Sequence, residues 1–551
     1  MMRSRLAVLL AALTSTPALS AQGPITSLDS ARHVLDRLAY GPTPGMVDRV
    51  AREGVMRWVD AQLGVDAVDD PNLRATLSHF DILSTPTSEL VRRFLDAQRE
   101  RRQRQAAGDT MMGPRPGQPP PGDAELRRLG GQLPQLVLVR AVQSDRQLAE
   151  VLADFWFNHF NIFIGKNLDR VLLPEYVEQV IRRHALGRFE DLLIATARSP
   201  AMMVYLDNTQ SVKPGASPPL PNRGPFAIGR LGSRALDSMR LEAQQRRPTG
   251  LNENYARELL ELHTLGVNGG YTQKDVTEVA RILTGWSVAL RGPVAARLAR
   301  RTVEEGSFIF NAWAHDDGAK TVLGTPFPAG QGEEEGIRLL RMLAAHPSTM
   351  HFVSTKLCAK FVNDTPPDGC IDDAVRTWRR SDGNIREVLR AIIRSQDFWA
   401  GVNRGVKVKT PLEFVASAVR AIGARPDSSL RLALAVAQLG QPLYQHVAPN
   451  GYGEQEEDWV NSGALLNRMN LALALASGRA PGVRGTLDAV IPLSSDHPTL
   501  VESVNRIVLA GRMSEHTRKV ILTEIGDLQD PVLARAMAVG LAIGAPEFQR
   551  Q

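Results

Sequence analysis

A chain of 551 residues with 43% hydrophobic and 23% charged side chains can bury a large core and has the balance of a globular protein, which excludes a disordered or fibrous polypeptide. The net charge of +6 would tolerate an anionic polymer as partner, but no basic stripe interleaved with aromatic residues occurs, which argues against a nucleic-acid reader. Two cysteines exclude a disulfide-framework fold, and past the N-terminus no stretch is apolar enough to predict a membrane span.

The first residues read as a secretory signal. Arg3 and Arg5 give a positive start, Leu6–Leu13 is a short apolar run, and Ala18-Leu19-Ser20 offers small residues for cleavage before Ala21. Residues 1–20 are thus expected to be removed and the mature chain exported, to the periplasm or beyond. A helical region is expected over 21–105, with a helix at Ser30–Tyr40, a Gly41-Pro42-Thr43-Pro44-Gly45 turn and helices at Val55–Leu63 and Ser88–Arg104. Residues 106–123, rich in proline and glycine and without periodicity, read as a mobile linker.

A helical core is expected over 124–400. Its first informative stretch is Asp154–Asn161, DFWFNHFN. On a helix Asp154, Asn158 and Asn161 stack at i, i+4 and i+7, a polar stripe on an otherwise aromatic surface. Such a helix should be buried, and its polar groups then need partners from another helix, water or a ligand. His159 reads as a satisfied core histidine, or else as a metal, haem or catalytic ligand. Residues 208–250 interrupt the helical pattern and read as a long insertion.

Leu251–Trp286 reads as two helices joined by a glycine turn. Asn252 can cap the first, Gly266 can end it in the left-handed conformation, and Thr272 with Asp275 can form a capping box on the second. At 100° per residue, Tyr255, Leu259 and His263 share one arc, while Asn254, Arg257, Glu258 and Glu261 share the opposite one. That acidic row is either a solvated ion-pair face or the wall of a cleft. The two polar stripes are expected to face one another, with His159 and His263 at the margins.

Beyond Trp286 a β-hairpin is expected near 307–323, with His315 as its functional candidate. Cys358 and Cys370 bracket the short segment CAKFVNDTPPDGC, a spacing suited to a local disulfide. Amphipathic helices follow at Glu333–His346, Thr349–Asn363, Asn384–Arg394 and Glu413–Ile422. Pro442–Trp459 reads as an ordered loop, and a C-terminal helical region completes 401–551. The predicted fold class is mainly α: a large multi-helix globular architecture with one small inserted β-hairpin.

Taken together, Trp156-Phe157-Asn158-His159-Phe160, Arg182–Phe189, Ser199-Pro200-Ala201-Met202, Tyr205-Leu206-Asp207-Asn208, Leu251–Trp286, Lys320–Gly324, Lys407–Phe414 and Asn450-Gly451-Tyr452 resemble the bacterial family catalogued as domain of unknown function 1800. The resemblance covers nearly the whole mature chain. It implies an exported, mainly helical protein without an established activity, and a possible partner in the exported family catalogued as domain of unknown function 1501.

Three functions remain open at this level. The first is an envelope or extracellular enzyme acting on a polymer, with Asp154, Glu258 and Glu261 as catalytic carboxylates and Asn158, His159, Asn161, Asn254, Arg257, His263 and His315 as ligand-binding residues. The second is a metal or haem protein using His159, His263 or His315. The third is a non-catalytic helical scaffold that docks an exported partner, marked by a large exposed apolar groove and fully paired polar stripes. No cofactor is identified by any motif.

Overall fold

In the computed structural model of the chain, residues 28–64, 70–106, 121–216, 250–290, 303–485 and 487–551 are described. The expected leader at 1–20 lies outside them, as do most of the expected linker and the middle of the 208–250 insertion. At the base of that insertion Ser211 and Gly250 pair as a parallel bridge, and the Val212 N–H donates to the Gly250 carbonyl at 3.1 Å.

The fold is mainly α, as its patterning predicts. The buried apolar side chains form one hydrophobic cluster that includes residues from Ala31 to Phe548. Helix Gln147–His159 lies within it, with Leu148, Leu152, Phe155 and Trp156 buried. The Trp156 indole N–H is satisfied by the Ala185 carbonyl at 3.0 Å, as a buried indole requires. Helix Pro347–Phe361 has buried Val353, Leu357 and Phe361 on one side and carries Lys356 and Lys360. Helix Pro411–Ala421 is buried along its whole length and starts at a complete capping box, Thr410 with Glu413.

The 251–286 stretch folds as two helical segments around a glycine turn, with one departure from regular periodicity. Residues Asn254–Glu258 are α-helical, but Leu259–Thr264 widens into a π-helix, closed by the Leu265 N–H to the Leu260 carbonyl at 2.8 Å. Bonding at i→i−5 inserts a residue into the turn, so positions beyond Glu258 rotate away from the 100° row. Gly266 has φ +80°, and the Thr272–Asp275 capping box opens helix Gln273–Ile282. A second π-helical segment runs over Tyr176–Arg182.

The strands are paired differently from the expected hairpin at 307–323. Phe308–Phe310 pairs antiparallel with Trp286–Val288, and Lys320–Val322 pairs with Thr325–Phe327 across a tight turn at Leu323-Gly324, both with positive φ. The β-hairpin is therefore 320–327. The apolar alternation at 307–310 is taken up by the strand that follows Gly285, because Trp286 buries its ring there, edge-on to Phe308. Cys358 and Cys370 are disulfide-bonded and tie helix Pro347–Phe361 to helix Asp368–Ser381.

Candidate functional site

Asp154, Asn158 and Asn161 stand together on the wall of a cavity of about 50 Å³, room for about three waters. Helix Gln147–His159 ends before Asn161, yet the chain leaves it so that all three still face the same space. Tyr40, Arg140, Glu150, Arg182, Gln441, Tyr444 and Tyr452 complete the polar lining. Arg182 and Val177 come from the π-helical segment, whose extra residue per turn brings them to the cavity.

The asparagines build the wall. Asn158 accepts from the Tyr452 N–H at 2.7 Å and donates to the Tyr452 carbonyl at 2.9 Å, holding the Asn450-Gly451-Tyr452 loop by its backbone. Asn161 donates to the carbonyls of His446 and Ala448 at 3.1 and 2.8 Å. Gly451 has φ +73°, and a Cβ there would lie 2.3 Å from the Asn158 carbonyl oxygen, so the loop passes where only glycine fits.

Charge around the cavity is mostly paired. Arg140 makes a two-pronged bond to Glu178 at 2.6 and 2.9 Å, and Arg182 does the same with Glu150. Lys360 donates to Glu413 at 2.9 Å and lies 3.4 Å from Glu454. Burial works against ionisation of Glu413, but Lys360 overrides it and holds the carboxyl down to about 2.

Asp154 is the exception. Among the described residues no group hydrogen-bonds its carboxylate, and the side chain is partly exposed and lines the cavity. Burial, opposed by Lys360 and reinforced by Glu454 and Glu413, pushes its carboxyl up to about 7. The hydroxyls of Tyr40 and Tyr444 also lack a hydrogen-bond partner among the described residues, and both line the same cavity. Burial, and then the Asp154 charge, raises the Tyr40 phenol well above its ordinary value; the Tyr444 phenol is raised too, mainly by burial. A carboxyl poised near neutrality in a cavity it shares with two unpartnered phenols can give or take a proton at a bound polar group.

The other expected site residues fall into separate places. His159 is buried; its Nδ1 lies 3.1 Å from the Lys356 ammonium and its Nε2 lies 3.2 Å from the His263 carbonyl, so Nε2–H donates and Nδ1 accepts. His159 and His263 come together with ring centroids 6.5 Å apart. Burial and Lys356 hold both rings neutral, His263 down at about 3 and His159 well below its ordinary value. Neither ring lines the cavity.

The row Asn254, Arg257, Glu258 and Glu261 does not line the cavity either. Asn254 donates to the Leu206 carbonyl, Arg257 to Gln273, and Glu261 accepts from the Tyr271 hydroxyl at 3.2 Å. Glu258 is raised by burial and by its neighbour Glu261. Tyr205 stands between the two stripes: its hydroxyl donates to the Val447 carbonyl, one residue from each carbonyl held by Asn161, and the Glu258 charge acts on it. The stripes are thus neighbours across Tyr205 rather than two walls of one pocket. His315 belongs to a third, buried cluster, its Nδ1–H donating to the Thr284 carbonyl at 2.9 Å and its Nε2 3.3 Å from Glu335, which also binds Lys320. Among the described residues no three His, Cys, Asp or Glu side chains converge as a metal site.

Lys356, Lys360, Glu413, Glu454, Tyr40 and Tyr444 were not legible as site residues. Only Glu413 carried a signal, as the fourth residue of the Thr410-Pro411-Leu412-Glu413 capping box.

Fold and site together define a mainly helical protein with a small, partly closed, aromatic-walled cavity whose lining carries one carboxyl without a hydrogen-bond partner among the described residues. Over residues 33–550 the chain matches the family described as protein of unknown function (DUF1800), and it belongs to that family. No curated protein and no solved structure matches it. Among the described residues no helix is long and apolar enough to cross a membrane.

Proposed function

We propose that the chain is an exported enzyme in which Asp154 acts as general acid–base on a small polar group held in the cavity, with the Tyr40 and Tyr444 hydroxyls orienting that group. The observation that carries this reading is the convergence of three oxygen-bearing side chains without hydrogen-bond partners among the described residues on one partly closed space, where the surrounding charges of Arg140, Arg182 and Lys360 are all paired. Buried polar groups left open in this way are satisfied by water or by a ligand. At about 50 Å³ the cavity takes a single functional group, so a polymer substrate would offer a chain end or a side group rather than its backbone. A scaffold would need fully paired polar stripes, and Asp154 is unpaired. Export rests on the leader-like start and agrees with a disulfide, which persists in oxidising compartments. An exported protein of the 1501 family remains the proposed partner.

The test is a thermal-shift screen of the mature chain against small sugars, hydroxy acids and amines at pH 5, 7 and 9, followed by turnover assays on every compound that stabilises it. Asp154→Asn is expected to lose turnover by about 10²–10⁴-fold, the usual range for a positioned acid–base group. Failure of every compound to stabilise the wild type, or full turnover in Asp154→Asn, overturns the proposal.

A further inference from the structure

On the other side of the 442–445 segment lies a groove of about 350 Å³, open to solvent. Its two long walls are helix Pro121–Gln143 and helix Arg431–Gln438. Its lining is mainly apolar, with Leu126, Pro134, Ala433 and Leu443 on the floor and Leu430 and Leu434 on the rim, the last two 39% and 53% exposed. Only two charged side chains line it, Arg127 and Arg170; no acidic residue does. Arg127 is exposed and Arg170 half-buried, and neither has a hydrogen bond or an ion pair among the described residues, so both guanidinium groups are free to meet a ligand. Arg140 and Arg535, by comparison, are matched by Glu178 and Asp488.

The helix wall is built to leave the space open. Gly130 and Gly131 stand side by side in the interior of Pro121–Gln143, where glycine is destabilising relative to alanine. A Cβ on Gly130 would meet nothing within 4 Å. Pro134 follows four residues later and has no N–H to give the Gly130 carbonyl, so the helix forgoes a hydrogen bond at the same place. Three successive departures from good helix chemistry at one groove are explained if the groove is occupied.

We infer that this groove binds an aliphatic chain ending in a carboxylate, the chain lying against the leucines and prolines and the carboxylate meeting Arg127 and Arg170. An apolar trough of this size suits a ligand of drug-like bulk, and the planar fork of an unpaired guanidinium is matched to a carboxylate. The inference stands apart from the Asp154 cavity, whose lining it shares only at Leu443.

The experiment is calorimetric titration of the full mature chain with dodecanoate below its micellar concentration, beside dodecyl maltoside and dodecyltrimethylammonium. Dodecanoate should bind one to one, roughly tenfold tighter than either control, as charge-assisted hydrogen bonds imply. Arg170→Gln should remove most of that preference and leave the maltoside affinity unchanged. Gly130→Leu puts a good helix former into the groove, so it should abolish binding of all three while the melting temperature does not fall. Asp154→Asn should leave dodecanoate binding as it is, so that the cavity reading and the groove reading fail separately. Equal affinity for the three amphiphiles, unchanged binding in Gly130→Leu, or a stronger complex with an apolar peptide bearing a free C-terminal carboxylate would each overturn the inference.

Discussion

Asp154→Asn should make the protein more stable at neutral pH while removing the acid–base group proposed for it. In the folded chain the Asp154 carboxyl keeps its proton up to about pH 7, against 3.8 for the ordinary group. Between these values the folded state binds more protons than the unfolded state, so stability falls as pH rises through the window. Below about pH 4 both states are protonated and the substitution should be neutral. Above about pH 7 the whole cost is present: at 1.36 kcal/mol per pH unit it is on the order of 4 kcal/mol, and cavity water reduces it to roughly 2–4 kcal/mol. Asparagine keeps the shape, discards the charge and leaves Lys360 its partners Glu413 and Glu454. For 551 residues the unfolding entropy is about 1.2 kcal/mol per kelvin, so the gain is ~2–3 °C at pH 8. Calorimetric melting of both proteins from pH 4 to 8 reads the difference directly, other titrating groups cancelling. A difference that is flat, or that turns negative at high pH, would mean that Asp154 carries a paired, stabilising charge, and the reasoning would fail.

Lys360→Met strands Glu413 in the interior and should cost about 3–5 kcal/mol, part of it recovered when Glu413→Gln is added; a double-mutant cycle by thermal melting measures the coupling. Because the Glu413 carboxyl is held down to about 2 against 4.5 for the free group, its contribution is present above about pH 4.5 and is lost as pH falls towards 2, so the stability gap between wild type and Lys360→Met should narrow over that range. Gly451→Ala combines a left-handed backbone with a clash on Asn158 and should cost at least about 1–3 kcal/mol, seen as a lower melting temperature and faster proteolysis at the 446–454 loop. Reduction of Cys358–Cys370, twelve residues apart, should lower stability by about 3 kcal/mol, read as the melting shift with and without dithiothreitol. N-terminal sequencing of exported protein should begin at Ala21.

Features that depend on neighbours along the chain were legible in the sequence. The Thr272–Asp275 box, the left-handed Gly266 and the Cys358–Cys370 bridge each need only residues a few positions apart, and each forms. The polar stripe of Asp154, Asn158 and Asn161 was visible in part for the same reason: helical period puts Asp154 and Asn158 on one face, and the chain carries Asn161 to the same space after the helix ends. The acidic row failed on the same rule, because the period changes inside it: the π-helix at Leu259–Thr264 turns Glu261 towards Tyr271 rather than along the row. Nothing local announces that widening, since a single i→i−5 turn is chosen by the packing around it. The hairpin at 307–323 was misread for a related reason, because which strand pairs with 308–310 is decided by the burial of Trp286, some twenty residues upstream.

What makes Asp154 distinctive was invisible for a deeper reason. Its carboxyl is raised by what the rest of the fold withholds from it, and that depends on residues as distant as Lys360, Glu413 and Glu454. Glu413 shows how such a partner is claimed. One of its oxygens accepts from the Thr410 N–H at 2.8 Å and closes the capping box that the sequence displays; the other accepts from Lys360 at 2.9 Å, which the sequence does not display. With both oxygens of Glu413 engaged and Glu454 3.4 Å from the same ammonium, Lys360 is committed to two carboxylates, and neither salt bridge extends to Asp154. A helix cap and a buried ion pair together thus leave one aspartate unpaired on a cavity wall, which is the arrangement that acid–base chemistry requires and that a stability-driven core would have removed.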